Sequence, residues 1–191
     1  MWIEDLDKKD LPKFLDHRTL DWLFIAWVFG DQATFGPITR TIQLESTDLP
    51  DWGPLPIPQV LIDTLSQGRI NTINQIIATL HSLFNGFVDG IQKCKIASDE
   101  RCAYTALGAL TKHLIRLNLL MPTPAPPYPG ITANKLLGDC LSQIKSPAIH
   151  ATATEPCGLQ SRIWAILGAF KGPDGLQVGA EQFAKFRDTG K

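Results

Sequence analysis

Two pairs of soft or borderline ligands stand in breaks between helical patterns. Cys94 and Cys102 bracket the stretch CKIASDERC with seven residues between them, and His150 and Cys157 bracket HATATEPC with six. Each pair sits where backbone can bend round an ion. If the four converged they would make a Cys₃His tetrahedron, which is the donor set of a structural zinc, closed on all sides and without an open catalytic position. The spacing is not that of a standard zinc finger. On spacing alone the pairs also read as half of a disulfide, the neighbourhood of a nucleophilic thiolate, or unrelated loop residues.

An enzymatic reading needs an activated thiolate, a base beside it and a third group that orients the base. No family-type signature surrounds any of the four cysteines. His17, His81 and His113 each fall in a helical pattern or cap region, where a surface or hydrogen-bonded histidine is expected. Cys140 falls on the apolar side of a helical pattern and reads as a small buried hydrophobe. Phosphate-cradling glycine loops, HExxH and GxSxG are all absent from the sequence. An enzyme or biosynthetic accessory protein with a Cys/His centre is therefore the alternative reading, and the leading one is non-enzymatic.

The elements that must position these residues are helical. Residues 16–30, DHRTLDWLFIAWVFG, predict a helix capped by Asp16 or Thr19, apolar nearly all round and stopped by Gly30. A short helix is expected over 32–44, with Pro37 restricting its start. Residues 46–58 hold four prolines and a glycine and read as a break. The clearest pattern follows. Ile73, Ile76, Ile77, Leu80, Phe84, Phe87, Val88 and Ile91 recur at helical steps, and Val60, Leu61 and Leu65 extend them backwards. This predicts one long amphipathic helix over 58–93, interrupted near Gly68, with Arg69, Asn71, Asn74 and Gln75 off the apolar stripe.

Residues 94–100 read as a loop in which Ser98 or Asp99 caps a helix over 100–120. Its seam is Ala103, Leu107, Leu110, Leu114 and Leu117, with Gly108 as a point of close helix contact. Residues 121–130, MPTPAPPYPG, contain five prolines and predict an extended polyproline strap. Exposed, that strap could also recruit an aromatic groove, a third and weaker functional reading. A helix capped by Thr132 and reaching Ile144 follows, with Leu136, Leu137, Cys140, Leu141 and Ile144 on its apolar side. Then come a loop over 145–156 and a helix over 158–170 with Leu159, Ile163, Ile166 and Leu167 inward. No period-two strand pattern competes. The expectation is an all-α domain of about six helices over residues 1–170. A weakly ordered glycine-rich tail over 171–191 follows, with Phe183 and Phe186 as its candidate docking residues.

Composition narrows the function classes. Eighteen basic and 19 acidic residues give a net charge of −1 without a Lys/Arg run, so no nucleic-acid partner is expected. The start, MWIEDLDKKDLPK, lacks the basic and long apolar regions of a secretory signal. No window approaches the roughly 18 apolar residues of a membrane helix, so no membrane role is expected. An intracellular protein, in cytoplasm or nucleus, is the expectation, with its cysteines as thiols or metal ligands.

The same residues carry a likeness. MWIEDL, LDWLFIAWVFGDQATF, LPIPQVLIDTL, a long helix to LHSLFNGF, C-x7-C before ALGALTKHL, PAPPYPGIT, IKSP and H-x6-CGLQSRI occur in that order up to about residue 170. Together they resemble the region that follows the BTB/POZ domain in a large group of fungal BTB-domain proteins. The resemblance implies a helical region that acts with a BTB domain as an adaptor for protein partners, without a catalytic role. It also implies that Cys94, Cys102, His150 and Cys157 are family features, which favours the structural zinc. Two departures limit it. MWIEDL matches only the trailing helix of the BTB core, so dimerisation through that core is not carried over. Family members often have a shorter cysteine spacing, which weakens Cys94 more than Cys102.

Overall fold

Asp16 starts the first helix, α1 (His17–Phe29). Its backbone is extended, and its carboxylate accepts from the amides of Arg18 and Thr19 at 3.0 and 3.1 Å. Thr19 Oγ1 accepts in return from the Asp16 amide at 2.9 Å, so orphan donors at the helix start are satisfied reciprocally. Gly30, at φ 71°, turns the chain left-handed at the other end. Asp31 then caps α2 (Gln32–Glu45) through the amides of Ala33 and Thr34. Two helices thus meet across a two-residue corner and pack on each other.

The computed structural model describes residues 15–48, 55–93, 100–145 and 159–177. They contain six α-helices and no strand among the described residues, as the periodicities predict. They divide into two units. One takes in the described residues up to Thr72, with Gly130–Ala133 and those from Gly172 onward, and the other takes in Ile73–Pro129 and Asn134–Lys171. Helix α3 (Gln59–Val88) contributes to both.

In the first unit Leu23 and Ala26 of α1, Phe35, Ile38 and Ile42 of α2, and Leu65 of α3 form the core. Trp22, Trp27, Ile57 and Leu61 pack against it. The expectation that α1 is buried nearly all round is corrected: Val28 and Phe29 are 37% and 55% exposed. The face carrying Thr19, Leu23 and Ala26 is the one that is covered. Pro37 does not restrict the start of α2 but lies inside it. A proline there removes one helical bond, and the buried face of Phe35, Ile38 and Ile42 outweighs that loss.

Nor does α3 break at Gly68; it runs for 30 residues. A Cβ on Gly68 would stand 2.2 Å from Nε2 of Gln43, so this glycine serves a close approach of α2. Arg69, expected off the apolar stripe, is 5% exposed. Its Nε donates to the Ser46 carbonyl at 2.7 Å, and Nη2 donates to the carbonyls of Thr47 and, at 2.8 Å, Ile131. Burial pulls its pKa down, and the Asp48 carboxylate opposes that. Residues 172–177, within the stretch read as a weakly ordered tail, belong to the first unit. Leu176 packs on the first unit's core. Residues 178–191, with Phe183 and Phe186, lie outside the described residues.

The second unit contains the later part of α3, α4 (Arg101–Arg116), most of α5 (Ala133–Gln143) and α6 (Leu159–Leu167). Ile73, Ile76, Ile77, Leu80, Leu83 and Phe87 form the buried stripe of α3. On α4 the buried face is Cys102, Ala106, Leu110 and Leu114, rotated from the predicted seam, in which Ala103 and Leu107 are only half-buried. This helix stops at Arg116 rather than Leu120, because Asn118 adopts φ 54° and the Leu119 amide turns back to the Leu114 carbonyl at 2.8 Å. Helix α6 packs against α4 through a face with Leu159, Ile163 and Leu167 buried, while Ile166, expected inward, is 37% exposed.

Three further predictions concern local structure. The predicted caps Ser98 and Asp99 lie outside the described residues; Glu100 precedes α4 without a side-chain cap bond. Gly108 makes no close contact among the described residues: its position is exposed, and a Cβ there would meet nothing of them within 4 Å. The proline segment is not one extended rod. It turns at 126–127 and 129–130, and Tyr128 between the turns has φ 57°. Tyr128 is 2% exposed and its hydroxyl donates to Asn74 Oδ1 at 3.1 Å, so a buried aromatic anchor bends the chain.

Replacing Arg69 with Met leaves carbonyls without their donor and is expected to remove about 3 kcal/mol of stability. Arg69→Lys should lose less but not recover the wild type, because an ammonium lacks the planar fork. Gly108→Ala should act in the opposite direction and add about 1 kcal/mol, the helix-propensity difference at an open position. Urea denaturation of the three variants checks both signs.

Candidate functional site

Of the four predicted metal ligands, Cys102 is the one within the described residues. It is the second residue of α4 and is 6% exposed, facing inward. Cys94, His150 and Cys157 lie outside the described residues. The described flanks of two of them are nevertheless tied together. Arg162, in the first turn of α6, donates Nη2 to the carbonyl of Lys93, the residue before Cys94. Its Nη1 donates to Gln92 Oε1, and the guanidinium carbon lies 5.4 Å from the centroid of the Phe87 ring. Helix α6 begins at Leu159, two residues after Cys157, and packs on α4, which carries Cys102 near its start. Among the described residues no group of three or more His, Cys, Asp or Glu is assembled for a metal.

Cys140 behaves as the periodicity predicts. It is 0% exposed on α5, and burial, with a smaller contribution from the Asp139 carboxylate, pushes its thiol up to about 12. A nucleophile needs the opposite shift. The histidines bond backbone. The His81 ring donates from Nε2 to the Leu119 carbonyl at 2.6 Å, because a carbonyl can only accept. His113 Nε2 lies 3.1 Å from the Lys145 carbonyl, and Arg116 bridges from α4 to Gln143 Oε1 of α5 at 2.8 Å. These bonds hold α3, α4 and α5 to the segments between them. The side chain of His17 is outside what is described.

Two open grooves run along α3. One, of about 660 Å³, presents Asn74, Ser82, Asn85 and Asp89 opposite Thr123 and Tyr128. The other, of about 390 Å³, lies beside Gln75, Thr79 and Leu83 with Ile166 of α6 as a wall. Both share Ala78, Ser82 and Gln92. Hydroxyl and carboxamide groups of this kind hydrogen-bond a polar chain and do not by themselves activate a nucleophile. Ile91 at the first groove is 73% exposed, and Val88 and Trp164 on α3 and α6 are 57% and 52% exposed. Sequence reading missed Arg162. Its place directly before the inward-facing Ile163, in the quoted stretch CGLQSRI, was the available signal. Comparison of the chain with protein-family models, with curated proteins and with solved structures found no match.

Iodoacetamide at neutral pH should label Cys140 in the folded protein about tenfold or more slowly than after denaturation. The thiol also contributes to the pH dependence. Its folded pKa is raised, so the stability it contributes is complete below its ordinary value of 9.0 and is lost as pH rises toward 12. Mass-spectrometric labelling against pH checks the first outcome, and alkaline melts of wild type beside Cys140→Ala check the second.

Proposed function

We propose that this chain is a non-enzymatic protein-interaction module of the kind implied by its resemblance to the region after the fungal BTB domain. In this reading a structural zinc held by Cys94, Cys102, His150 and Cys157 stiffens it. The observation that carries the interaction role is the set of large apolar side chains left in solvent on the second unit. Val88, Ile91 and Trp164 are each more than half exposed, and Ile166 is 37% exposed. Exposed apolar side chains gathered near grooves lined by hydrogen-bonding groups are the composition of a surface that a partner covers.

Support for the zinc is indirect. Cys102 is buried at the start of α4, and Arg162 ties the residue before Cys94 to the first turn of the helix that begins just after Cys157. The donor chemistry fits: three thiolates and an imidazole are the soft and borderline ligands zinc takes tetrahedrally. A closed site of that kind supplies folding free energy and no reaction.

The purified protein is expected to contain one zinc per chain by elemental analysis, and chelation should lower its melting temperature by roughly 10 °C or more. A metal-free preparation that melts at the same temperature removes the zinc. The interaction role is read separately. Ile91→Glu with Trp164→Glu should leave the melting temperature within a few degrees of wild type and abolish co-purification of the protein partner. Unchanged co-purification removes this surface.

A further inference from the structure

Residues 172–177 lie against α2 in the first unit without helical or strand structure of their own, and Gly172 and Gly175 have φ of 69° and 85°. Both main-chain groups of Leu176 are gripped by side chains of one helix. Its amide donates to Thr39 Oγ1 at 2.8 Å, and its carbonyl accepts from Gln32 Nε2 at 3.2 Å. Gln32 and Thr39 are two helical turns apart and share a face. The Thr39 hydroxyl lies 3.0 and 2.9 Å from the carbonyls of Phe35 and Gly36, so its proton is directed there and a lone pair remains for the incoming amide.

Glycine decides the fit. A Cβ on Gly175 would stand 2.1 Å from the carbonyl oxygen of Gly36, and Gly175 has φ 85°, a conformation that disfavours other residues. The next side chain, Leu176, packs on the core cluster of Leu23, Ala26, Phe35, Ile38, Ile42 and Leu65. So α2 reads a main chain through two side chains, requires glycine at one position and takes a large aliphatic residue at the next. Main-chain bonds that hold a segment and a side-chain site that selects it are a general means of peptide recognition. None of residues 171–177 is buried, unlike the core below them, which puts this segment among the parts of a fold that open most readily.

We propose that α2 forms a peptide-binding groove for a segment carrying glycine, turned to positive φ, followed by a leucine-sized aliphatic residue. Residues 172–177 occupy it in cis, and a partner segment of the same chemistry displaces them. This deepens the interaction reading by naming a surface on the first unit and the ligand it takes. Its failure leaves the exposed patch of the second unit and the zinc as they stand.

The test uses the full chain carrying Gly175→Ala, which disturbs the occupant and not the groove. Amide exchange at Leu176 is expected to quicken about tenfold or more. A fluorescent Gly-Pro-Asp-Gly-Leu-Gln peptide should then bind this variant, and bind wild type more weakly because the native segment competes. The same peptide with alanine for its second glycine should bind at least about tenfold more weakly. Equal binding of the two peptides, or none by a folded variant whose segment has been released, overturns the proposal. Should Gly175→Ala fail to fold, wild type with excess peptide decides: exchange at Leu176 must rise with peptide concentration, and no rise overturns it. A concentration-dependent wild-type dimer in light scattering, abolished by Gly175→Ala, assigns the groove to a second copy of this chain and overturns the partner reading.

Discussion

The guanidinium of Arg69 is the constraint on which the first unit depends. A helix ends with carbonyls that have no partner within it, and burying them without donors is costly. Here α2 ends at Glu45, and Ser46, the residue after it, is buried. Arg69 supplies the donors from α3. The same planar group that meets the carbonyls of Ser46 and Thr47 also meets that of Ile131, which comes from a distant part of the sequence. One side chain thereby fixes where α2 stops, how α3 lies against it and where the chain re-enters this unit. Gly68, the residue before it, removes a side chain so that Gln43 can approach.

The second unit solves a related problem with several weaker ties. Histidine and arginine side chains on its helices, and Tyr128 of the proline segment, bond carbonyls and carboxamides in neighbouring segments. His81, His113 and Cys140, read in the sequence as hydrogen-bonded histidines and a buried thiol, are employed in holding the fold. This arrangement favours a scaffold reading over a reactive centre. The exposed aliphatic and indole groups at the end of α3 and on α6 are the surface that the proposed partner would cover.

Much of this was legible in the sequence because helix periodicity reports burial of a continuous face. The stripe from Ile73 to Phe87, the cap at Asp16 and the inward Cys140 were all readable in that way. What failed did so for lack of a neighbour. Gly68 and Gly108 are both mid-helix glycines, and local sequence cannot say that one meets Gln43 while the other is exposed. Arg69 looks like a surface cation until carbonyls 22 to 62 residues away are brought to it. Tyr128 bends a segment whose prolines alone argue for a straight one. Of the proposed metal ligands, only Cys102 is placed, and its burial was not predicted by the seam through Ala103 and Leu107.

The Gly30–Asp31 corner has a kinetic consequence. Contacts between α1 and α2 join neighbours in sequence, so the loop to be closed is short and the pair can form early. The bond from Leu176 to Thr39 spans 137 residues. On a chain synthesised from its amino terminus, α1 and α2 can close while most of the sequence, including the segment that lies across them, has yet to be made. A copy that folds in that order passes through a stage in which the face of α2 is folded and still uncovered, and whatever first reaches that face during synthesis has no competitor for it.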